Sequence, residues 1–215
     1  LVGNLSWSRS TLNRGMLADR GAYNRVALEM ALPGSDAPYY KVSYTGQRYF
    51  PVTRKLTLKA RSDLGFGDGY GEDPRLPFYQ RYTAGGFGSV RGFEDRSLGA
   101  RIPAHAFLTS STVDPEPEAV GGDLSVEGGL ELIFPPPFVE DSRTLRTVLF
   151  FDAGNVFLTD NETYPPEFSE IRTSVGVALS WYTLIGPLSF SLAKTLNDQP
   201  GDQRQAFQFS LGQPF

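Results

Sequence analysis

Cysteine is absent from these 215 residues, and histidine occurs once, at His105. The first absence excludes disulfides and thiolate metal sites; the second excludes a multi-histidine metal centre. Long apolar runs are missing too. None approaches the roughly 20 residues that a transmembrane helix requires, so a helical membrane protein is excluded. There is no basic run and no interleaving of aromatic and basic residues, and the net charge is -4 with a pI near 5.1. Nucleic acid is therefore not an expected partner. Leu1 is not an initiator methionine, and no charged segment followed by an apolar core opens the chain. Strand-like pattern begins almost at once, as in a processed or truncated piece of a longer protein.

What is abundant points the other way. Gly 23, Phe 16, Pro 16 and Tyr 10 suit many strands joined by turns, with aromatic residues to spare. The mean hydropathy of -0.25 is modest. A membrane barrel tolerates that value, because its strands need only alternate between apolar and polar residues.

Alternation with period two recurs throughout, while the helical period is hard to find. Ile171, Thr173, Val175, Val177, Leu179 and Trp181 share one face, against Arg172, Ser174, Gly176, Ala178 and Ser180 on the other. Val26, Leu28, Met30 and Leu32 repeat the pattern, as do Leu124, Val126, Leu130 and Leu132 opposite Ser125, Glu127, Gly129 and Glu131. Leu56, Leu58 and Ala60 alternate with Lys55, Thr57, Lys59 and Arg61. Strands are expected at 2–10, 23–33, 39–51, 55–66, 122–134, 145–158, 170–183, 187–195 and 205–214. A sandwich would alternate as well, with its outer face on water. Here the apolar face is long and aromatic-tipped, and the other face favours Gly, Ser, Thr and paired charges. That combination fits a lipid-facing exterior around a polar lumen. The expected fold class is all-β, an antiparallel transmembrane barrel of which this chain is a C-terminal portion.

Connections alternate between short and long, as short turns at the periplasmic end and long loops outside would require. The segment 11–22 is an exception, longer than a simple turn. The stretch 67–121 is the longest, with no convincing strand or helix pattern. Such a loop in an ordered domain is usually functional or disordered. Residues 74–100, rich in aromatics, Gly and Arg, suggest packed structure, whereas 109–121 read as a solvent-exposed tip.

Within this loop, PFYQRYTAGGFGSVRGF (77–93) resembles the inward-folded loop of the BamA/TamA superfamily of outer-membrane insertases, whose hallmark is VRGF, here Val90, Arg91, Gly92 and Phe93. PGSDAPYYKV at 33–42, GGDLSVEGGLELIFPPPF at 121–138, FFDAGNVF at 150–157 and QFSLGQPF at 208–215 agree in the same order, so the resemblance covers essentially the whole chain. It is closer to the BamA branch than to TamA or the two-partner secretion transporters.

The residues themselves allow a related reading. Gly92 beside Arg91 permits close backbone approach, so a guanidinium can enter a polar lumen, where carboxylates must accept its donors. Parity turns Glu127, Glu131 and Asp152 inward, with Arg146. A solvated loop arginine is the plainer alternative. The resemblance implies that Glu131 and Asp152 hold Arg91. It also implies a lateral seam beside the last strand, carried by Phe207, Phe209, Leu211, Gly212 and the terminal Phe215, where an incoming strand could add to an open edge. Those apolar residues are equally those of an ordinary closing strand. The implied partners are the bilayer and lipopolysaccharide, unfolded outer-membrane clients, and accessory lipoproteins recruited through periplasmic domains absent from this sequence. The implied location is the outer membrane of a Gram-negative bacterium.

No enzyme, cofactor or metal site is expected. His105 lies near Ser110 and Ser111, which raises an outer-membrane lipase, but no strand orients it. Asp68, Glu72 and Asp73 fit no calcium-loop spacing. A passive pore remains an alternative, and so does a soluble sandwich, which should fold without detergent.

Overall fold

The computed structural model describes every residue except 16, 33, 36, 72–74, 103–117, 137–143, 160–165, 184–185 and 213–215. His105, Ser110, Ser111, Glu72, Asp73 and Phe215 thus lie outside the described residues.

Nine strands form one antiparallel sheet. They are β1 (Val2–Ser10), β2 (Gly21–Ala31), β3 (Tyr39–Pro51), β4 (Thr57–Gly69), β8 (Leu124–Phe134), β9 (Leu145–Phe157), β10 (Arg172–Thr183), β11 (Gly186–Thr195) and β13 (Phe207–Leu211), in that spatial order. Strands β1 and β13 are the sheet's two edges. The minor strands β5 (Gly92–Phe93), β6 (Arg101–Ile102), β7 (Glu118–Ala119) and β12 (Arg204–Gln205) belong to the long connections, where β12 pairs with β5 and β6 with β7.

The expected strands are present, with shifted ends. β4 runs on to Gly69 because Tyr39, Tyr40 and Lys41 of β3 pair with Gly69, Asp68 and Gly67. β13 stops at Leu211, where Gly212 turns to φ +89°, outside extended geometry. The stretch 67–121 is not patternless: it holds a 3-10 turn at Phe78–Gln80 as well as β5, β6 and β7.

Register explains the two faces. Phe50, Leu58, Leu132, Leu149, Val177, Leu192 and Phe207 stand opposite one another from β3 to β13, a continuous apolar row across seven strands. Leu149, Val177, Leu192 and Phe207 are exposed at 40–58%. Leu5, Trp7, Val26, Leu28, Val42, Leu64, Leu130, Trp181 and Phe209 are bare on the same surface. An apolar face this extensive marks a membrane rather than water.

The connection 11–20 is long for a physical reason. Ala18 packs in a buried cluster with Tyr49, Val148, Phe150 and Ala178, and its carbonyl accepts a hydrogen bond from Arg146 Nη1 at 3.0 Å. The segment folds inward and covers the lumen side at the short-turn end. Thr11, bonded to Ala22, and Asn13, bonded to Asp19 and Arg20, pin its two ends together.

Candidate functional site

The loop between β4 and β8 returns across the inner wall. Tyr82 bridges to Gly122 and Ala84 to Leu98, which narrows the loop into a folded unit. Val90 and Phe93 are fully buried beside Leu98 and Val156 of β9. These apolar side chains anchor the loop on either side of Arg91, itself 1% exposed.

Arg91 meets the wall through a fork. Its Nε donates to Asp152 Oδ2 at 2.7 Å and its Nη2 to Asp152 Oδ1 at 2.9 Å, while the Arg91 backbone N–H reaches Asp152 Oδ2 at 3.2 Å. Nη2 also donates to Glu131 Oε1 at 2.8 Å. The guanidinium lies 3.6 Å from the centre of the Phe150 ring. Bidentate pairing fixes direction as well as distance, which a lysine could not do. Burial by itself would make Arg91 less basic. The hydrogen bond and charge of Asp152, then those of Glu131, outweigh that and hold it above its ordinary range.

Both carboxylates have a second cation. Lys59 Nζ lies 3.0 Å from Glu131 Oε2, and Arg61 Nη2 lies 3.4 Å from Asp152 Oδ1. Arg61 also donates to the carbonyls of Gly88 and Ser89, and Ser89 Oγ bonds Glu127. The loop is therefore tied to β4, β8 and β9 together. Gly129 makes the space: a Cβ there would come within 2.7 Å of Asp152 Oδ1 and 3.1 Å of Arg61 Nε.

Gly92 carries the loop past β11. Its φ is +93°, and an added Cβ would sit 3.0 Å from Ala193 Cβ. Beyond it the loop joins the last hairpin. Phe93 and Gly92 pair with Arg204 and Gln205, and Glu94 N–H donates to the Gln203 carbonyl at 2.9 Å. On β13, Gln208 Nε2 donates to the Phe93 carbonyl at 2.7 Å, while its Oε1 accepts from Gly92 N–H at 3.3 Å. Asp202 then accepts from Arg172 Nε at 2.6 Å and faces Arg101 at 3.5 Å.

The full-length match is to the Omp85 superfamily domain, over residues 2–215. The chain belongs to the Omp85 superfamily. It is 33% identical to the outer membrane protein assembly factor BamA of Neisseria meningitidis, over 99% of this chain and 28% of that protein. A SAM50-like protein of Schizosaccharomyces pombe is 25% identical over 98% of this chain and 43% of its own length. The crystal structure of BamA from Haemophilus ducreyi lacking POTRA domains 1-3 superposes with a TM-score of 0.85 at 34% identity, over 96% of this chain and 41% of that one. The chain thus spans less than half the length of these Omp85 relatives.

Within this Omp85 barrel segment the structure brings together Val90, Arg91, Gly92, Phe93, Glu131 and Asp152. Phe207, Phe209 and Leu211 face outward on β13, apart from that cluster, and Gly212 follows the strand. Sequence reasoning did not assign Lys59, Arg61, Phe150 or Gln208 to the site. Parity places Lys59 and Arg61 inward, but their carboxylate partners, Glu131 and Asp152, appear only once β4 is known to pair with β8 and β8 with β9. Asp68 lies within β4 opposite Tyr40, not in a loop, and accepts from its neighbour Gly69 N–H at 2.8 Å. Among the described residues no cluster suited to a metal ion occurs.

Proposed function

We propose that this chain forms the C-terminal part of an outer-membrane β-barrel assembly factor, which helps other barrel proteins fold into the membrane without making or breaking a covalent bond. The observation that carries this reading is the seating of the loop on the last strand. Arg91 is locked to β8 and β9, while Gly92 and Phe93 hold Gln208 of β13. Among the described residues β13 has five residues against the ten of β11, and its ladder is extended only by the Ala193 N–H to Ala206 carbonyl and Gly212 N–H to Pro187 carbonyl bonds, each 2.8 Å. A short outermost strand held from inside offers backbone groups to an arriving strand on its other edge. In hydrocarbon those groups have no water, so pairing with a client strand is strongly favoured. Clients would be unfolded outer-membrane proteins, with lipopolysaccharide and the bilayer around the barrel and accessory lipoproteins recruited by periplasmic domains of the whole protein.

A passive pore fits less well, because the folded loop occupies the inner wall of β8–β11 with buried charge. The test is insertion of a client barrel into proteoliposomes carrying the full-length protein, followed by protease protection. Faster insertion than in lipid alone is expected, with loss of that gain in Arg91→Ala. Equal rates with and without the protein would overturn the proposal.

A further inference from the structure

The outward face carries one polar feature that neither the loop nor the seam uses. Near the short-turn end of β1–β3 lies an open groove of about 590 Å³, lined by Arg9, Arg20, Asn24, Arg48 and Phe50 among others. A second hollow of about 270 Å³ continues it past Tyr44 and Ser62. Arg9 shares its face with Leu5 and Trp7, and Asn24 with Val26 and Leu28. Arg48 shares its face with Val42 and Phe50. These arginines therefore point out with the lipid-facing residues, not into the lumen.

Charge on this face is of one sign. The outward positions of β1, β2 and β3 contain no Asp or Glu, and the sole acid facing out from β4, Asp68, lies at the opposite, long-loop end. Arg20 has a loose contact with Asp19 at 3.8 Å, both exposed. Among the described residues neither Arg9 nor Arg48 has a carboxylate partner, and Arg48 stands 5.0 Å from the Phe50 ring centre. Tyr44 Oη donates to Asn24 Oδ1 at 2.9 Å, which leaves the amide nitrogen as the donor for a ligand. Arg54 and Lys55, exposed in the adjoining turn, add to the same sign. One step further along the strands, Trp7 and Val26 pair and are bare at 59% and 40%. Cations at the edge of an apolar belt, Arg9 and Arg48 without a carboxylate partner among the described residues and Asp19 loosely beside Arg20, match an anionic headgroup whose tails continue up the strands.

We propose that this groove binds the headgroup of an anionic phospholipid in the leaflet at the barrel's short-turn end, with Arg9 and Arg48 on the phosphate and Asn24 on a neighbouring oxygen. The site rests on the membrane reading of the outer face and is independent of insertase activity. Because short turns lie on the periplasmic side, the ligand comes from the phospholipid leaflet.

Native mass spectrometry of the full-length protein in neutral detergent tests it, with short-chain phosphatidylglycerol, phosphatidylcholine and inorganic phosphate titrated separately. Phosphatidylglycerol adducts should persist where phosphatidylcholine adducts do not. Arg9→Gln and Arg48→Gln should each weaken them roughly 5-fold. Arg48→Lys should retain most of the affinity, and Arg25→Gln, on the inner face, should change nothing. Heat-modified gel mobility checks that each variant is folded. Equal binding of the two lipids, insensitivity to both glutamine variants, or equal affinity for free phosphate would each overturn the site.

Discussion

The inner face of this sheet has two halves that resemble each other in sequence and differ in state. On β8–β11 its small and charged residues are sealed: Asp152, Ser174 and Ser189 are 0% exposed, Ser180 1%, Glu131 and Ser191 2%. On β2 and β3 the equivalent row, Arg25, Glu29, Ser43 and Thr45, is exposed or only half-buried. Both rows are polar and both alternate with apolar neighbours. What differs is cover: the loop carrying Arg91, with the inward-folded 11–20 segment at the short-turn end, lies on β8–β11. Period two reports which way a side chain points, but not what rests on it.

Substitutions on the two halves should separate sharply. Arg91→Ala leaves Asp152 with Arg61 alone and Glu131 with Lys59 alone in a dry setting, and breaking a buried ion pair from one side costs up to about 3–5 kcal/mol. Urea unfolding of the membrane-embedded protein should show that loss, whereas Ser43→Ala, on the inner face of β3, should stay within about 0.5 kcal/mol. Similar effects at both positions would erase the distinction between the halves. Next in size is Gly92→Ala, which forces a side chain into φ +93° and against Ala193, at about 2 kcal/mol. Adding Ala193→Gly should recover only the contact part, since the backbone strain remains; full recovery would show that crowding alone mattered.

A smaller loss, about 1–2 kcal/mol, is expected for Gln208→Ala, which removes two hydrogen bonds to the loop backbone. Gln208→Glu turns the donor into an acceptor facing the Phe93 carbonyl and should cost at least as much. Hydrogen exchange at Gly92 and Phe93 should rise in both variants, and unchanged protection there would sink the claim that β13 helps hold the loop.

The smallest effect is alkaline. Burial, with a lesser contribution from the charge of Glu29, pushes the Tyr82 phenol up to about 12 from its ordinary 10.0. A raised phenol stabilises the fold fully below pH 10, and that contribution drains away as pH climbs towards 12. Tyr82→Phe should therefore lose less stability than wild type across that window in a base titration.

Much of this architecture was legible from residues alone. Alternation placed Glu131 and Asp152 on the inner face, and it set the strands to within a few positions. The ends that moved did so for tertiary reasons: Gly67, Asp68 and Gly69 carry no apolar signal, yet β3 extends β4 through them. The pairing of Arg91 with two particular carboxylates came from family resemblance, because inward acids on separate strands carry no local mark of a shared partner. Lys59 and Gln208 were hidden for the same reason. Their contacts depend on where a distant loop comes to rest, which no window of neighbouring residues encodes.

Gly92 and Gln208 are 116 positions apart. A chain emerging from its N-terminus therefore completes the loop long before it completes the strand that clasps it. Contacts this remote form late, since so much intervening polypeptide must first be ordered. The clasp that Gln208 places on Gly92 and Phe93 therefore closes only once the final hairpin is in place.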